Sequence, residues 1–140
     1  MQQPRAGLCL SGDTDIAGVG MTQHLTLDVR HDGPFTVIAV GGEIDIDTAP
    51  ELREVVTEVT DAGADRLVFD LSDVTFVDSI GLGVFVLARK KMLLRQGTID
   101  IVASTRRVVA IFRISGLDQL FRLRSTLAAV FADEDPAEPA

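Results

Sequence analysis

Hydrophobic residues in this chain alternate between two periodicities, and this alternation limits the folds that it can adopt. Between residues 25 and 132, segments with the two-residue period of a strand are separated by segments with the 3.6-residue period of a helix. The predicted strands are 25–29, 35–40, 66–71, 99–103 and 121–123, and the predicted helices are 48–62, 80–96, 105–115 and 126–132. After an initial hairpin, the order α-β-α-β-α predicts an α/β fold with a small, mixed, mostly parallel sheet of four to five strands flanked by helices.

Local signals predict where several of these elements begin and end. Asp32-Gly33 is a strong hairpin pair. Thr48 and Glu51 have the spacing of a capping box at a helix start. The nearly continuous apolar run over 66–71 indicates a strand buried on both faces, and a loop from Ser72 to Asp78 is expected to follow it.

Composition indicates one domain with two tails. The chain has 140 residues, of which 46% are hydrophobic, which fits a single domain with its own core. Residues 1–20 show no periodicity, and residues 133–140 are acidic and rich in proline, so both are expected to be disordered and dispensable for folding. The remaining domain then covers residues 21–132.

Charge and cysteine usage exclude several classes of partner and compartment. With 13 basic and 21 acidic residues, the chain carries a net charge of −8, which argues against direct binding of a nucleic-acid backbone. Its one cysteine, Cys9, excludes an internal disulfide framework and fits a reducing compartment. No apolar segment has the length of a signal or membrane span. The expected protein is therefore cytoplasmic, with no membrane partner.

The usual sequence signatures of catalysis, metal binding and cofactor binding are absent. The two histidines, His24 and His31, have no further Cys or His nearby to complete a metal site. No G-x-S-x-G nucleophile elbow occurs, and the glycines at 81 and 83 do not form a phosphate-binding loop. We therefore predict a protein that is not an enzyme and needs no metal or cofactor.

A two-component receiver is one alternative, because Asp70 stands where a phosphoaccepting aspartate would close an apolar strand. Such a site needs paired carboxylates for Mg²⁺ and a lysine after a later strand. Asp32 is alone in its turn, and both lysines, Lys90 and Lys91, fall inside a predicted helix. The sequence therefore disfavours a receiver.

The most informative segment runs from Val74 to Gly83 and places Asp78 and Ser79 at the start of an apolar helix. Either of the two residues could be the N-cap of that helix. A helix N-terminus also accommodates an anion, so a serine there could be phosphorylated without unfolding the domain. Gly81 and Gly83 would allow another backbone, or the sheet of this protein, to approach closely.

Three segments together resemble the STAS-domain anti-anti-sigma factors, a family of anti-sigma factor antagonists in bacteria. The first is Gly42-Glu43-Ile44-Asp45 followed by Ala49-Pro50-Glu51-Leu52, and the second is Val77-Asp78-Ser79-Ile80-Gly81-Leu82-Gly83-Val84. The third, at 111–117, is weaker. The resemblance covers roughly residues 25–130, in the right order and spacing, and its fold agrees with the periodicities above.

The resemblance implies a phosphorylation-controlled binding protein that regulates transcription by partner switching. Unphosphorylated, it would bind an anti-sigma factor that is also a serine kinase, and so free a sigma factor in a stress response. Phosphorylation would inactivate it, and a phosphoserine phosphatase would restore it. Ser79 matches the phosphoacceptor of the family, and the implied partner-binding residues are Glu43, Asp45, Asp78, Ser79, Ile80, Gly81 and Leu82.

One position departs from the family, and two other functions remain open. Ile80 stands where many relatives carry Ser or Thr, which alters the immediate setting of Ser79. The chain could instead be a scaffold or sensor subunit of a larger signalling assembly, in which Ser79 controls assembly. It could also bind a small ligand or nucleotide at the same helix N-terminus.

Overall fold

A computed structural model of the protein describes residues 25–132. The predicted tails at 1–20 and 133–140, together with Cys9 and His24, lie outside the described residues. The strands are β1 (Leu25–Asp32), β2 (Phe35–Ile44), β3 (Arg66–Val77), β4 (Thr98–Val102) and β5 (Arg122–Arg124). The α-helices are α1 (Ala49–Asp61), α2 (Ser79–Leu94), α3 (Arg106–Ile114) and α4 (Leu127–Ala132), and a 3₁₀ turn spans Leu117–Gln119.

The five strands form one sheet in the order β1-β2-β3-β4-β5. β1 and β2 pair antiparallel through a hairpin, and every later neighbouring pair is parallel. Each of α1, α2 and α3 connects two neighbouring parallel strands, as parallel pairing requires. The predicted α/β fold with a mixed, mostly parallel sheet is confirmed, with five strands.

The core lies mainly on the face of the sheet that carries α1, α2 and α3. The rings of Phe69 in β3 and Phe85 in α2 pack edge to face, with their centroids 4.9 Å apart. The centroids of Phe85 and of Phe112 in α3 are 5.6 Å apart. Because side chains alternate along a strand, the neighbouring Val68 points to the opposite face, where α4 contributes Val130. The aromatic chain fixes α2 over β3, with α3 beside it.

The two central strands are longer than the sequence predicts. β2 continues to Ile44 instead of ending at residue 40, and β3 continues to Val77, so the loop expected from Ser72 to Asp78 is wrong. The two strands pair along their whole length, with register shifts around Gly41 and Gly42. The extensions, at 41–44 and 72–77, are formed by backbone hydrogen bonds between the two strands. Their side chains are largely polar and exposed, so they do not show the alternation of apolar and polar residues that predicts a strand.

The end of α2 also differs from the prediction. The helix ends at Leu94 instead of residue 96, and Gln96 takes the left-handed conformation with φ 61°. The amide of Gly97 then donates a hydrogen bond of 2.8 Å to the carbonyl of Met92. A Cβ on Gly97 would lie 2.6 Å from the carbonyl oxygen of Asp65, so a close backbone contact accounts for this glycine.

Within residues 25–132, the structure contains no helix that combines the length and the apolar character needed to cross a membrane.

Candidate functional site

The two motifs that carry the family resemblance meet where β2 and β3 end. Glu43 pairs with Phe76 and Ile44 pairs with Val77, so the two strands finish side by side. The amide of Asp78 then donates a hydrogen bond of 3.0 Å to the carbonyl of Ile44. The loop after β2, which begins at Asp45, and the start of α2 therefore form one continuous surface at the carboxyl edge of the sheet.

Asp45 organises the loop between β2 and α1. Its Oδ1 accepts hydrogen bonds from the amides of Asp47 at 3.0 Å and Thr48 at 3.1 Å. The hydroxyl of Thr48 accepts a bond from the amide of Asp45 at 2.9 Å and donates one to the carbonyl of Glu43 at 2.8 Å. The side chain of Thr48 caps no helical amide, so the predicted capping box is wrong, and Asp45 closes the loop instead.

Asp78, and not Ser79, is the N-cap of α2. Asp78 has the extended backbone of a cap residue, and its Oδ1 accepts a hydrogen bond of 2.9 Å from the amide of Gly81. Ser79 is the first helical residue and is exposed. Its hydroxyl makes no hydrogen bond to any part of the chain that the structure describes. The serine is therefore accessible, and its side chain has no structural task at the helix start.

The two glycines of the second motif have different surroundings. A Cβ on Gly81 would lie 2.5 Å from Cγ2 and 2.9 Å from the carbonyl oxygen of Ile44, whereas a Cβ on Gly83 would meet nothing within 4 Å. The expected close approach is thus to the protein's own sheet, and it occurs at Gly81. Leu82 is partly buried against the core. Gly81 and Leu82 thus lie beneath the exposed surface formed by Ser79 and Ile80.

Three exposed apolar side chains belong to the segments that meet at this edge of the sheet. Ile46 is 64% exposed, Ile80 45% and Phe76 37%. Ile46 lies in the loop that Asp45 closes, Phe76 lies opposite Glu43 in the sheet, and Ile80 follows Ser79. Exposed apolar groups that cluster on a surface are typical of a protein interaction site. Sequence reasoning missed Ile46 and Phe76, although an isoleucine between two aspartates in a turn was a usable signal.

Three other hydroxyls of the domain are engaged by the structure. The Ser72 hydroxyl donates to Oδ1 of Asp70 at 2.7 Å, and the Thr75 hydroxyl lies 3.4 Å from the carbonyl of Gly42. The Ser115 hydroxyl donates to the carbonyl of Phe112 at 3.1 Å. Ser79 differs from these three residues because its hydroxyl makes no hydrogen bond within the described residues.

The alternative chemical sites are not assembled in the described residues. Asp70 lies within β3, paired with Ala39 in the sheet, and its carboxylate accepts bonds from Ser72. It therefore does not close the strand as a receiver aspartate would. His31 is exposed, with Nδ1 3.4 Å from the hydroxyl of Thr36. Between residues 25 and 132, no group of three or more His, Cys, Asp or Glu side chains is placed to hold a metal ion.

Comparisons with known proteins agree with this fold and with the motifs of the site. The model of the STAS domain family matches residues 26–130. The anti-sigma-B factor antagonist of Staphylococcus aureus is 32% identical over 100 residues, which cover 71% of this chain and 93% of that protein. That of Bacillus subtilis is 34% identical over 97 residues, covering 69% and 88%.

A solved structure extends the agreement to three dimensions. The crystal structure of an anti-sigma factor antagonist from Mycobacterium paratuberculosis superposes with a TM-score of 0.73 at 31% sequence identity. The match covers 78% of this chain and 92% of that one. The family model spans the sheet and the edge that carries Asp45 and Ser79, and the chain belongs to the STAS domain family.

Proposed function

We propose that this protein is an anti-sigma factor antagonist, whose binding to an anti-sigma factor is ended by phosphorylation of Ser79. In this proposal the anti-sigma factor is itself the serine kinase, and its capture frees a sigma factor for transcription. The names of the sequence relatives support antagonism of an anti-sigma factor. The observation that carries the phosphorylation is the position of Ser79, exposed and unbonded at the N-terminus of α2.

The surface around Ser79 has the chemistry of a docking site for another protein. Its exposed apolar surface comes from Ile46, Phe76 and Ile80. Removing apolar surface from water is the main favourable contribution to the binding free energy in most protein associations. The carboxylates of Glu43 and Asp78 flank this area at the same edge. The complementary partner surface is apolar at its centre and basic at its rim, and we assign it to the anti-sigma factor kinase.

A phosphate on Ser79 is compatible with the folded domain. The first amides of a helix have no carbonyl partner within the helix, and the helix dipole favours negative charge at this end. Because the Ser79 hydroxyl makes no bond to residues 25–132 that a phosphate would break, modification costs the free domain little. Phosphorylation thus changes the surface of the domain and leaves its fold intact.

The same phosphate disfavours the complex. It adds a charge of about −1.5 to −2 beside Asp78, on a surface that also carries Glu43 and Asp45. Bringing charge and bulk into an interface that excludes water costs several kcal/mol when no matching cation is present. Shifting a partner from 99% bound to 99% free requires about 5.5 kcal/mol of differential affinity. One phosphate in the interface is therefore a sufficient switch.

The first experiment locates the modification. The full chain is incubated with ATP and each candidate anti-sigma factor kinase of the same organism, and its intact mass and phosphopeptides are measured. We expect one added phosphate, on the peptide that contains Ser79, and none in Ser79→Ala. The matched controls are Ser72→Ala and Thr75→Ala, which should be phosphorylated like the wild type. Phosphate on Ser72, Thr75 or Ser115, or normal phosphorylation of Ser79→Ala, would contradict the proposal.

The second experiment measures binding to the kinase that modifies the chain. Ser79→Ala should bind as the wild type does and stay bound with ATP present, so the sigma factor remains active. Ser79→Asp should bind more weakly, although one carboxylate only partly reproduces a phosphate. Treatment of the phosphorylated protein with a phosphoserine phosphatase should restore binding. If the phosphorylated chain binds as tightly as the unmodified chain, Ser79 does not control the complex.

A further inference from the structure

One glycine of this domain lacks the structural reasons that account for the others. Residues 25–132 contain eight glycines. Four of them adopt positive φ, where a side chain is strained, and in three others a Cβ would lie no more than 2.6 Å from a neighbouring atom. The first group is Gly33, Gly42, Gly63 and Gly116, and the second is Gly41, Gly81 and Gly97. The eighth glycine, Gly83, belongs to neither group.

Gly83 is unfavourable for the helix that contains it. It is the fifth residue of α2, it is exposed, and a Cβ there would meet nothing within 4 Å. Glycine in a helix is less favourable than alanine because it loses more backbone entropy on folding. Neither the backbone conformation of Gly83 nor its packing within residues 25–132 offsets this cost. The reason for a glycine here therefore lies in what approaches the surface.

The position of Gly83 relative to Ser79 supplies such a reason. Gly83 comes four residues after Ser79 and three after Ile80. Residues at these spacings are neighbours on a helix surface, with Cβ atoms about 5–6 Å apart. Because long helical side chains lean toward the N-terminus, one at position 83 would lie over Ser79 and Ile80. With only a hydrogen atom at this position, the Ser79 hydroxyl stays uncovered on that side.

Phosphoryl transfer needs open space around the accepting hydroxyl. Ser79 Oγ forms a bond to the γ-phosphorus of ATP while the bond from that phosphorus to the β,γ-bridging oxygen breaks. ADP departs, and the hydroxyl proton passes to a general base of the kinase. The attacking and leaving oxygens lie roughly in line, with the reacting atoms about 3–3.5 Å apart before reaction. A side chain that leans over Ser79 would occupy part of the space through which ATP and the kinase approach.

We propose that Gly83 is a specificity-determining position for this phosphorylation, because its missing side chain keeps the Ser79 hydroxyl open to the kinase. The inference rests on the proposed function, which makes an anti-sigma factor kinase the partner at Ser79. Gly83 differs in this from Gly81, which packs against Ile44 and positions the start of α2. Gly81 has a role in the fold, and Gly83 has a role in access to the modified residue.

The test separates access from folding, because the proposal gives the two opposite signs. Leucine has a high helix propensity, so the urea midpoint of Gly83→Leu should equal or exceed that of the wild type. The kcat/KM for its phosphorylation, by the kinase that modifies the wild type, should nevertheless fall by about 10- to 100-fold. A glycine needed for folding would instead lower stability and phosphorylation together, and that result would overturn the proposal.

Two variants of the full chain are the matched controls. Gly83→Ala adds a methyl group that does not reach Ser79, and it should be phosphorylated at nearly the wild-type rate. Lys90→Leu adds the longer side chain at an exposed position of the same helix, about two turns further from Ser79, and should also be phosphorylated normally. If circular dichroism shows that Gly83→Leu does not fold, Gly83→Gln replaces it, with a polar side chain that is longer and also favours helix.

A chemical probe measures access to position 79 without the kinase. Cys9 is the one cysteine of the chain, so Ser79→Cys in a Cys9→Ser background introduces a single thiol. Its rates of reaction with iodoacetamide and with a fluorescein-bearing iodoacetamide are compared, because the ratio of the two rates cancels the thiolate fraction. Gly83→Leu should lower the ratio of the large to the small reagent several-fold, whereas Gly83→Ala and Lys90→Leu should leave it unchanged.

Failure of this inference is distinguishable from failure of the proposed function. A wild type that no kinase phosphorylates on Ser79 contradicts the proposed function and this inference with it. A wild type that is phosphorylated on Ser79, beside a Gly83→Leu variant phosphorylated equally fast, overturns the inference alone. An unchanged labelling ratio in Gly83→Leu does the same. Slow phosphorylation with a lowered labelling ratio, at undiminished stability, is the result that supports the inference.

Discussion

Gly81 at the start of α2 lies directly against Ile44 at the end of β2, with room for a hydrogen atom but not for a methyl group. A Cβ on Gly81 would be 2.5 Å from Cγ2 of Ile44 and 3.0 Å from Cγ1 of Val77. The contact holds the N-terminus of α2 against the loop that follows Ile44. It therefore sets the position of Ser79 relative to Asp45, the two residues on which the proposed switch depends.

Gly81→Ala should destabilise the protein by about 1–3 kcal/mol, because the added methyl group forces Ile44 and the α2 N-terminus apart. The matched control is Gly83→Ala in the same helix turn, where the methyl group enters open space. It should stabilise the protein by about 0.5–1 kcal/mol, since alanine loses less backbone entropy than glycine in a helix. Urea denaturation of the two variants measures both effects, and equal stabilities would show that the Ile44 contact is not limiting.

Asp78→Ala should cost about 1 kcal/mol, whereas Ser79→Ala should change the free energy of unfolding by less than about 0.5 kcal/mol. The difference arises because the Asp78 carboxylate caps the Gly81 amide, and the Ser79 hydroxyl has no partner in the described structure. Asp78→Asn keeps an acceptor oxygen and should retain most of the stability. Thermal or urea unfolding ranks the three variants by their free energy of unfolding. A larger loss of stability for Ser79→Ala than for Asp78→Ala would contradict the assignment of Asp78 as the cap.

Asp45→Ala should destabilise the protein by about 1 kcal/mol as well as weaken partner binding. The Asp45 carboxylate accepts hydrogen bonds from the amides of Asp47 and Thr48, so its removal weakens the loop. Asp45→Asn separates the two roles, because it can still accept these bonds but has lost its charge. Calorimetric binding to the kinase, measured beside the melting temperature, should show weaker binding of Asp45→Asn at nearly wild-type stability.

The control for this separation is Asp47→Ala, whose side chain is exposed and has no hydrogen bond within the described residues. It should leave stability unchanged. If Asp45→Asn binds normally, the residue acts through the loop alone and its charge does not contribute to the partner surface.

Arg122→Ala should destabilise the protein by about 3 kcal/mol, which is more than Asp100→Asn should. The Asp100 side chain is only 4% exposed, and Arg122 Nε lies 3.0 Å from its Oδ1. Removing the arginine leaves a buried carboxylate without its partner, which is costly, whereas removing the charge of Asp100 leaves a largely exposed arginine that water can solvate. Denaturant titrations compare the free energies of unfolding of the two variants. A larger loss of stability for Asp100→Asn than for Arg122→Ala would show that Asp100 does not depend on its ion pair with Arg122.

The sequence by itself determined the kinds of elements and their order, because these depend on residues close together in the chain. The alternation at Leu25, Leu27 and Val29 and the helical spacing from Leu52 to Val59 are local patterns. They appear in the structure as β1 and α1. Gly63 and Gly116 adopt positive φ just after α1 and α3, where glycine commonly ends a helix.

The candidate site was predictable only as two motifs. Sequence placed Asp45 after a strand and Ser79 at a helix start, and the family resemblance joined them. The bond between the Asp78 amide and the Ile44 carbonyl, which brings the motifs together, depends on how β2 and β3 align. Whether Asp78 or Ser79 caps α2 depends in the same way on the backbone conformation of the two residues. Residue types alone do not determine that conformation, because both are common cap residues.

Tertiary structure also decided which segments pair and which surfaces stay open. β3 extends from residue 71 to Val77 because the backbone of β2 is alongside to bond it, although Ser72, Asp73 and Thr75 show no strand pattern. The same packing decides which of the two glycines near the start of α2 contacts the sheet and which lies in open space. Side-chain periodicity reports burial against near neighbours in sequence, whereas strand pairing and surface access depend on residues that only folding brings together.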